Sequence, residues 1–234
     1  MEDFRGFQVR LNCKLSNNGY YIRVDVTDPL ISLRTIFMSL IDTSWINHFF
    51  PKNDWAHNSV LSRAMPTIEV IKKSFDKGDN PTINKDTGEK MVSEISRKTL
   101  VDDFGHWAMP IAELFKQKAD GNPGFDFHTV FLESDLLMFG EAKYVKDYTP
   151  YKNAMSQISD FIDNKKDMKD LFEISRFMPS EKPLENADNG IKGYVAAFST
   201  NGKSDEYIID KVVNHESYDK LSQYPLFIAI AVNL

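Results

Sequence analysis

Three ionisable residues set in one apolar stretch offer this sequence its clearest chemistry: Asp126, Glu141 and Lys143. They lie in Gly124-Phe-Asp-Phe-His-Thr-Val-Phe-Leu-Glu-Ser-Asp-Leu-Leu-Met-Phe-Gly-Glu-Ala-Lys143, where two apolar strands flank a polar Glu133-Ser134-Asp135 tip. A hairpin centred between Glu133 and Ser134 sets Asp126 across from Glu141, roughly 4.5–5.5 Å apart at Cβ. Lys143, two residues further on, points to the same side of the sheet. A slip of one residue would send Asp126 to the opposite face. Carboxylates directly opposed across strands repel, and a divalent cation removes that cost. Mg²⁺, with Mn²⁺ as a substitute, takes hard oxygen ligands, commonly one or two carboxylates plus waters and phosphate oxygens. Such an ion polarises a phosphodiester and lowers the pKa of a water it binds. A lysine beside it orients that water or steadies developing negative charge. The arrangement is an argument for metal-assisted phosphodiester hydrolysis. The plain alternative is a surface ion pair between Glu141 and Lys143 on half-exposed strands.

The elements that must position these residues can be read from periodicity and turn chemistry. Phe7–Leu15 and Tyr20–Val26 alternate apolar and polar residues around Asn17-Asn18-Gly19, which predicts a hairpin. Asp28-Pro29 opens a helix expected to run from Leu30 to Phe49, and Pro51 stops it. A second helix is expected over Val60–Phe75, kinked at Pro66. Asp76–Glu89, with two glycines, a proline and six charges, reads as a surface loop and subdomain boundary. A helical region follows from Met91 to Lys118, broken at Pro110, and then a turn at Asp120–Gly124. After the Phe125–Val145 hairpin come a helix over Tyr151–Phe172, a strand over Ile191–Thr200, a helix over Asp205–Val213 and a buried strand over Pro225–Val232. Helices alternating with apolar strands predict an α/β (mixed α+β) protein with a central mixed sheet flanked by helices. The expected division is residues 1–90 as an N-terminal hairpin and helical region, and 91–234 as the core.

Gly-Phe-Asp126 followed by Gly-Glu141-Ala-Lys143 resembles the signature of the PD-(D/E)XK, or restriction-endonuclease-like, nucleases. Gln157-Ile-Ser-Asp-Phe161 is similar to the Gln-x-x-x-Tyr element of RecB-like members, with Phe in place of Tyr. The stretch from Asp102 through Phe161 most resembles the HamA-type nucleases of Hachiman antiphage defence, which act with a helicase partner. The resemblance implies a restriction-endonuclease-like core, Mg²⁺ dependence and DNA as substrate. It assigns metal ligation to Asp126 and Glu141 and the catalytic lysine role to Lys143, with Gln157 as a further site residue. Many members carry another acidic residue on the helix before the hairpin. Asp102, Asp103 and Glu113 are the candidates, with Glu113 chosen because it follows Pro110 on a plausible first turn; His106 stands where a glutamate would be expected. The rival readings are a stand-alone restriction endonuclease and a non-catalytic nuclease-fold module that binds a partner protein.

Lys143, Lys146 and Lys152, interleaved with Tyr144, Tyr148 and Tyr151, read either as a path for a DNA backbone or as a solvated edge. His128 shares the Asp126 face by the period-two rule and reads more readily as a satisfied strand histidine. The five histidines show no zinc spacing. Gly202-Lys203-Ser204 lacks the first glycine of a phosphate-binding loop, since position 197 is alanine. Trp45, Phe49, Phe50 and Trp55 gather at a helix end, as core or as an exposed aromatic patch. The 234 residues carry 28 Lys+Arg against 34 Asp+Glu, a net charge of −6. That balance disfavours tight binding of bare DNA and points to a partner that delivers it. The longest apolar run, Leu226–Val232, is far short of the ~20 residues of a membrane helix. With one cysteine, Cys13, no internal disulfide forms, and a cytoplasmic protein is expected.

Overall fold

The Asn-Gly turn does what its chemistry demands. Strands β1 (Phe7–Lys14) and β2 (Gly19–Val26) pair antiparallel, with Asn17 in the left-handed conformation at φ 54°. The computed structural model describes residues 4–50, 55–75, 85–115 and 124–234; the side chains of Ser74, Phe75 and Glu113 lie outside the described set. Pro51, residues 76–84 of the expected loop and most of the Asp120–Gly124 turn fall outside the described residues.

Asp28 caps α1 (Pro29–Ile41) by accepting hydrogen bonds from the Leu30 and Ile31 N–H groups at 2.9 and 3.0 Å. The single helix expected to Phe49 is in fact two. Asp42 accepts from the Ser44 N–H at 2.9 Å, which ends α1 and starts α2 (Ser44–Phe49). Helix α3 (Trp55–Phe75) begins five residues before the expected start and carries Pro66 inside it. Helix α4 (Lys85–Phe104) also starts early, so the last residues of the expected loop are helical. Within the region expected to be helical to Lys118, the described residues hold a short strand, β3 (His106–Ala108), and a helix, α5 (Ala112–Phe115); residues 116–118 lie outside the described set.

Strands β4 (Phe127–Phe131) and β5 (Leu136–Lys143) form the hairpin at the register expected from its polar tip. Phe127 opposes Gly140, and Phe131 opposes Leu136. The tip is a 3₁₀ turn over Leu132–Ser134 closed by Asp135 in the left-handed conformation. The next helix is broken where Lys165 adopts φ 53°, giving α6 (Tyr151–Asp163) and α7 (Lys166–Ile174). Then follow α8 (Lys182–Asp188), β6 (Gly193–Thr200), α9 (Asp205–Val213), α10 (Tyr218–Leu221) and β7 (Leu226–Asn233).

All seven strands join one mixed sheet in the order β1-β2-β7-β6-β5-β4-β3. The centre is parallel (β2 with β7, β7 with β6, β6 with β5), and an antiparallel hairpin extends each edge. Strand β6 is buried at all eight positions, and β7 at six of its eight, as strands covered on both faces should be. The mixed α/β architecture is therefore the one the sequence pattern predicts. The N-terminal hairpin is part of that sheet, since β2 pairs with β7 over seven residues, and residue 90 lies inside α4. Among the described residues, no helix is long and apolar enough to cross a membrane.

Candidate active site

Glu141 sits near the end of β5 with 1% of its surface exposed. Its Oε1 accepts a 2.5 Å hydrogen bond from the Lys143 ammonium, and its buried Oε2 has no partner among the described residues. Asp126 lies one residue before β4 and leaves the ladder there. Its N–H donates to the Gly140 carbonyl at 2.9 Å, and its Oδ2 accepts from the Ala142 N–H at 2.8 Å. The carboxylate is thus pinned across β5 between Glu141 and Lys143 instead of standing in strict cross-strand register. Gly140 makes room for this end of the hairpin, because a Cβ there would lie 2.3 Å from the Phe127 ring.

Electrostatics tie the cluster together. Burial pushes the Glu141 carboxyl well above the ordinary carboxylate range, and the neighbouring Asp126 and Glu89 carboxylates push it the same way against Lys143. Burial works against the charge on Lys143, yet Glu141, Asp126 and Glu89 together hold its pKa above that of an ordinary lysine. The three residues expected from the hairpin are therefore brought to one place, and a fourth joins them. Glu89, on α4, lines a cavity of about 270 Å³ with Asp86, Lys90, Ser93 and Asp126.

Glu89 was hidden in the stretch read as a loop. The signal was there: Thr87, Met91, Ile95 and Thr99 recur every four residues and are all buried on α4. Gly88 masked it. A Cβ at Gly88 would stand 2.2 Å from the Tyr144 ring, so the glycine admits the residue next to Lys143 rather than ending the helix. Gly88→Ala should lower stability by about 1–3 kcal/mol through overpacking, despite a helix-propensity gain of about 1 kcal/mol. A urea midpoint at or above that of the native chain would contradict this close packing.

No family model matches this chain, and no curated protein or solved structure matches it either.

A divalent cation fits the residues present. A buried, unpartnered carboxylate oxygen beside a second fixed carboxylate is a hard-oxygen donor pair. Among the described residues, no three His, Cys, Asp or Glu side chains are grouped to hold a metal ion. Two protein oxygens completed by waters and a phosphate is a usual Mg²⁺ arrangement.

The Glu113 side chain lies outside the described residues, although its backbone is in α5. Asp102 and Asp103 face Arg5 at 3.2 and 3.1 Å, at the far end of α4 from Glu89. Gln157 is half-buried on α6, one residue before fully buried Ile158, and is not among the side chains whose charge or hydrogen bonding shapes Glu141 and Lys143. Lys146, Lys152 and Tyr148 are exposed, whereas Tyr151 packs against Phe198 and His215.

His128 is fully buried, with Nε2 3.2 Å from Asp170 on α7 and its ring edge-on to Phe139. His106 is buried on β3 with Nδ1 2.9 Å from the Thr129 hydroxyl, and burial pushes its pKa down to about 4. The fold therefore favours the neutral ring. Its contribution is present above pH ~6.5, where the unfolded histidine is also neutral, and is lost as pH falls toward about 4, at up to ~1.4 kcal/mol per pH unit. His106→Gln should flatten the stability decline between those pH values. An unchanged slope in urea melts would show that the decline arises elsewhere.

Proposed function

We propose that this chain is a divalent-metal-dependent deoxyribonuclease that hydrolyses DNA phosphodiester bonds and receives its DNA from a partner such as a helicase. One observation carries the reading: Glu141 is buried, bonded to Lys143 through one oxygen and unpartnered at the other, with Asp126 and Glu89 crowding it. Burying a carboxylate with one unpartnered oxygen beside two half-buried carboxylates and a single lysine is costly, and such arrangements concentrate at functional sites.

Asp126 and Glu141 would hold Mg²⁺. When bound, the ion supplies Lewis-acid polarisation of the phosphate and activation of the attacking water. The hydrogen bond from the Ala142 N–H keeps Asp126 aimed at the cluster. Lys143, held protonated by three carboxylates, serves as a cationic donor to the water or to the phosphate oxygens and not as a proton acceptor. Asp86, Glu89 and Asp126 outnumber Lys90 around the cavity, so a bare phosphodiester is repelled until the carboxylates are neutralised. The net charge of −6 adds to that repulsion at long range and supports the partner.

Mg²⁺ should raise the melting temperature of the native chain, by an amount corresponding to about 2.7 kcal/mol at one hundred times its Kd. The same addition should leave Glu141→Ala unmoved. In the same buffer, the native chain should convert supercoiled plasmid to open circles with Mg²⁺ and not with EDTA. Intact plasmid at high protein and Mg²⁺, with the chain folded and with or without a partner helicase, would favour the non-catalytic module. Discrete bands instead of a smear would favour a stand-alone restriction enzyme.

A further inference from the structure

A second cavity, of about 430 Å³, adjoins the acidic one, and Ile111 lines both. Its size falls within the ~300–1,000 Å³ of small-ligand pockets. Its character is different. Trp45, His48, Phe49 and Trp107 form its wall, with the His48 ring 5.8 Å from that of Trp107 and the Phe49 ring 6.3 Å from it. Trp107 is fixed by donating from Nε1 to the Phe177 carbonyl at 2.9 Å, and Phe49 is braced edge-on against Phe177 at 5.2 Å. The Trp45 Nε1–H is buried and has no acceptor among the described residues. Arg97 lines the floor, held by Glu94 at 2.6 Å and by the Met109 carbonyl at 2.9 Å.

Helix α4 links the two cavities. Glu89 and Ser93 line the acidic one, and Arg97 lines the aromatic one, each four residues after the last and so on one face of the helix. Eight residues of helix cover ~12 Å, which is more than three base steps of ~3.4 Å. A strand that runs along this face of α4 with a phosphate at the acidic cavity therefore places a base a few nucleotides away at the aromatic wall, and Ile111 is shared by both cavities.

We propose that this cavity binds an unpaired nucleobase of the DNA strand being cut, so that the substrate is single-stranded or locally unpaired DNA; the inference rests on the nuclease reading. A base offers what the wall lacks. Its π-face stacks on the indole and imidazole rings that line the cavity. A base inside a duplex has both faces covered by its neighbours, so it enters only once unstacked.

The test is fluorescence anisotropy of the full chain at low salt with Ca²⁺, which takes the same oxygen ligands, in place of Mg²⁺, and with the probes checked to be intact, so that binding is read apart from cleavage. The probes are a labelled oligo(dT), an oligomer of equal length with abasic sites in place of thymidine, and a hairpin duplex. Oligo(dT) is expected to bind more tightly than both, with the abasic oligomer weaker by roughly 5- to 150-fold. His48→Ala alters an exposed residue and so threatens the fold little; it should weaken oligo(dT) binding at least about fivefold and leave the abasic oligomer unaffected. Trp45→Phe keeps an aromatic ring but removes the N–H, and should weaken oligo(dT) less than His48→Ala does. Equal binding of oligo(dT) and the abasic oligomer, no binding of oligo(dT), or oligo(dT) binding indifferent to His48→Ala would each overturn the proposal. The last result would leave the wall to a protein partner. Base-dependent binding without any Mg²⁺-dependent cleavage would sink the nuclease reading alone, and cleavage with base-blind binding would sink this one alone.

Discussion

Glu141→Gln should reduce Mg²⁺-dependent DNA cleavage by roughly 10³-fold or more while raising the melting temperature of the chain in EDTA by a few degrees. The first half follows from removing one of two carboxylates that hold the cation, an effect worth several kcal/mol of transition-state stabilisation. The second half follows from the cost of the native residue. Glu141 is 1% exposed, burial raises its pKa first, and Asp126 and Glu89 add to it; only Lys143 compensates. Glutamine has the same shape and no charge, so the folded state sheds the repulsion without leaving a cavity. An active site that trades stability for function behaves this way. Near-native cleavage would remove Glu141 from the reaction. Inactivity accompanied by a lower melting temperature would mean that the ion pair with Lys143 is a structural bond.

Lys192→Met should be the most destabilising single change outside the core apolar residues, at about 3–5 kcal/mol. Lys192 lies 2.6 Å from Asp167 Oδ2 with both side chains under a tenth exposed, just ahead of β6. Tyr194 donates to the same oxygen at 2.8 Å, so Asp167 anchors the start of the buried parallel strand to α7. Removing the ammonium leaves a buried carboxylate short of its countercharge. For a chain of this size the loss corresponds to roughly 6–20 °C in Tm, at about 2–4 °C per kcal/mol. The double variant Lys192→Met/Asp167→Asn should recover much of it, because the stranded charge and not the lost contact is the main cost. Single and double variants that melt alike would contradict this division.

Local chemistry made much of the site legible. The polar tip of the Phe125–Val145 hairpin and the two-residue period of strands gave the register of β4 on β5, and with it the meeting of Glu141 and Lys143. The same period failed at Asp126, whose backbone bonds to Gly140 as the strand ends, so its carboxylate reaches the cluster by bonding the Ala142 N–H. It also set His128 on the Asp126 face, where the structure pairs the imidazole with Asp170 of α7, a helix no strand pattern can locate. Glu89 was lost because charges and a glycine look like a loop until Tyr144 is seen packing on Gly88. Helix breaks at Asp42 and Lys165 depend on one side-chain hydrogen bond and one left-handed residue, neither of which disturbs hydrophobic periodicity. The sheet order was beyond reach for another reason. Pairing β2 with β7 joins residues about two hundred positions apart, and no local pattern encodes such a contact.

The most direct measurement is the rate at which the purified chain nicks supercoiled plasmid in Mg²⁺, run beside EDTA controls and the Glu141→Gln and Lys143→Ala variants. The account predicts nicking by the native chain in Mg²⁺ alone, and its loss in both variants while their thermal melts stay cooperative. Nicking that survives in Glu141→Gln, or a folded native chain that leaves both supercoiled plasmid and single-stranded circular DNA intact in Mg²⁺, would contradict it.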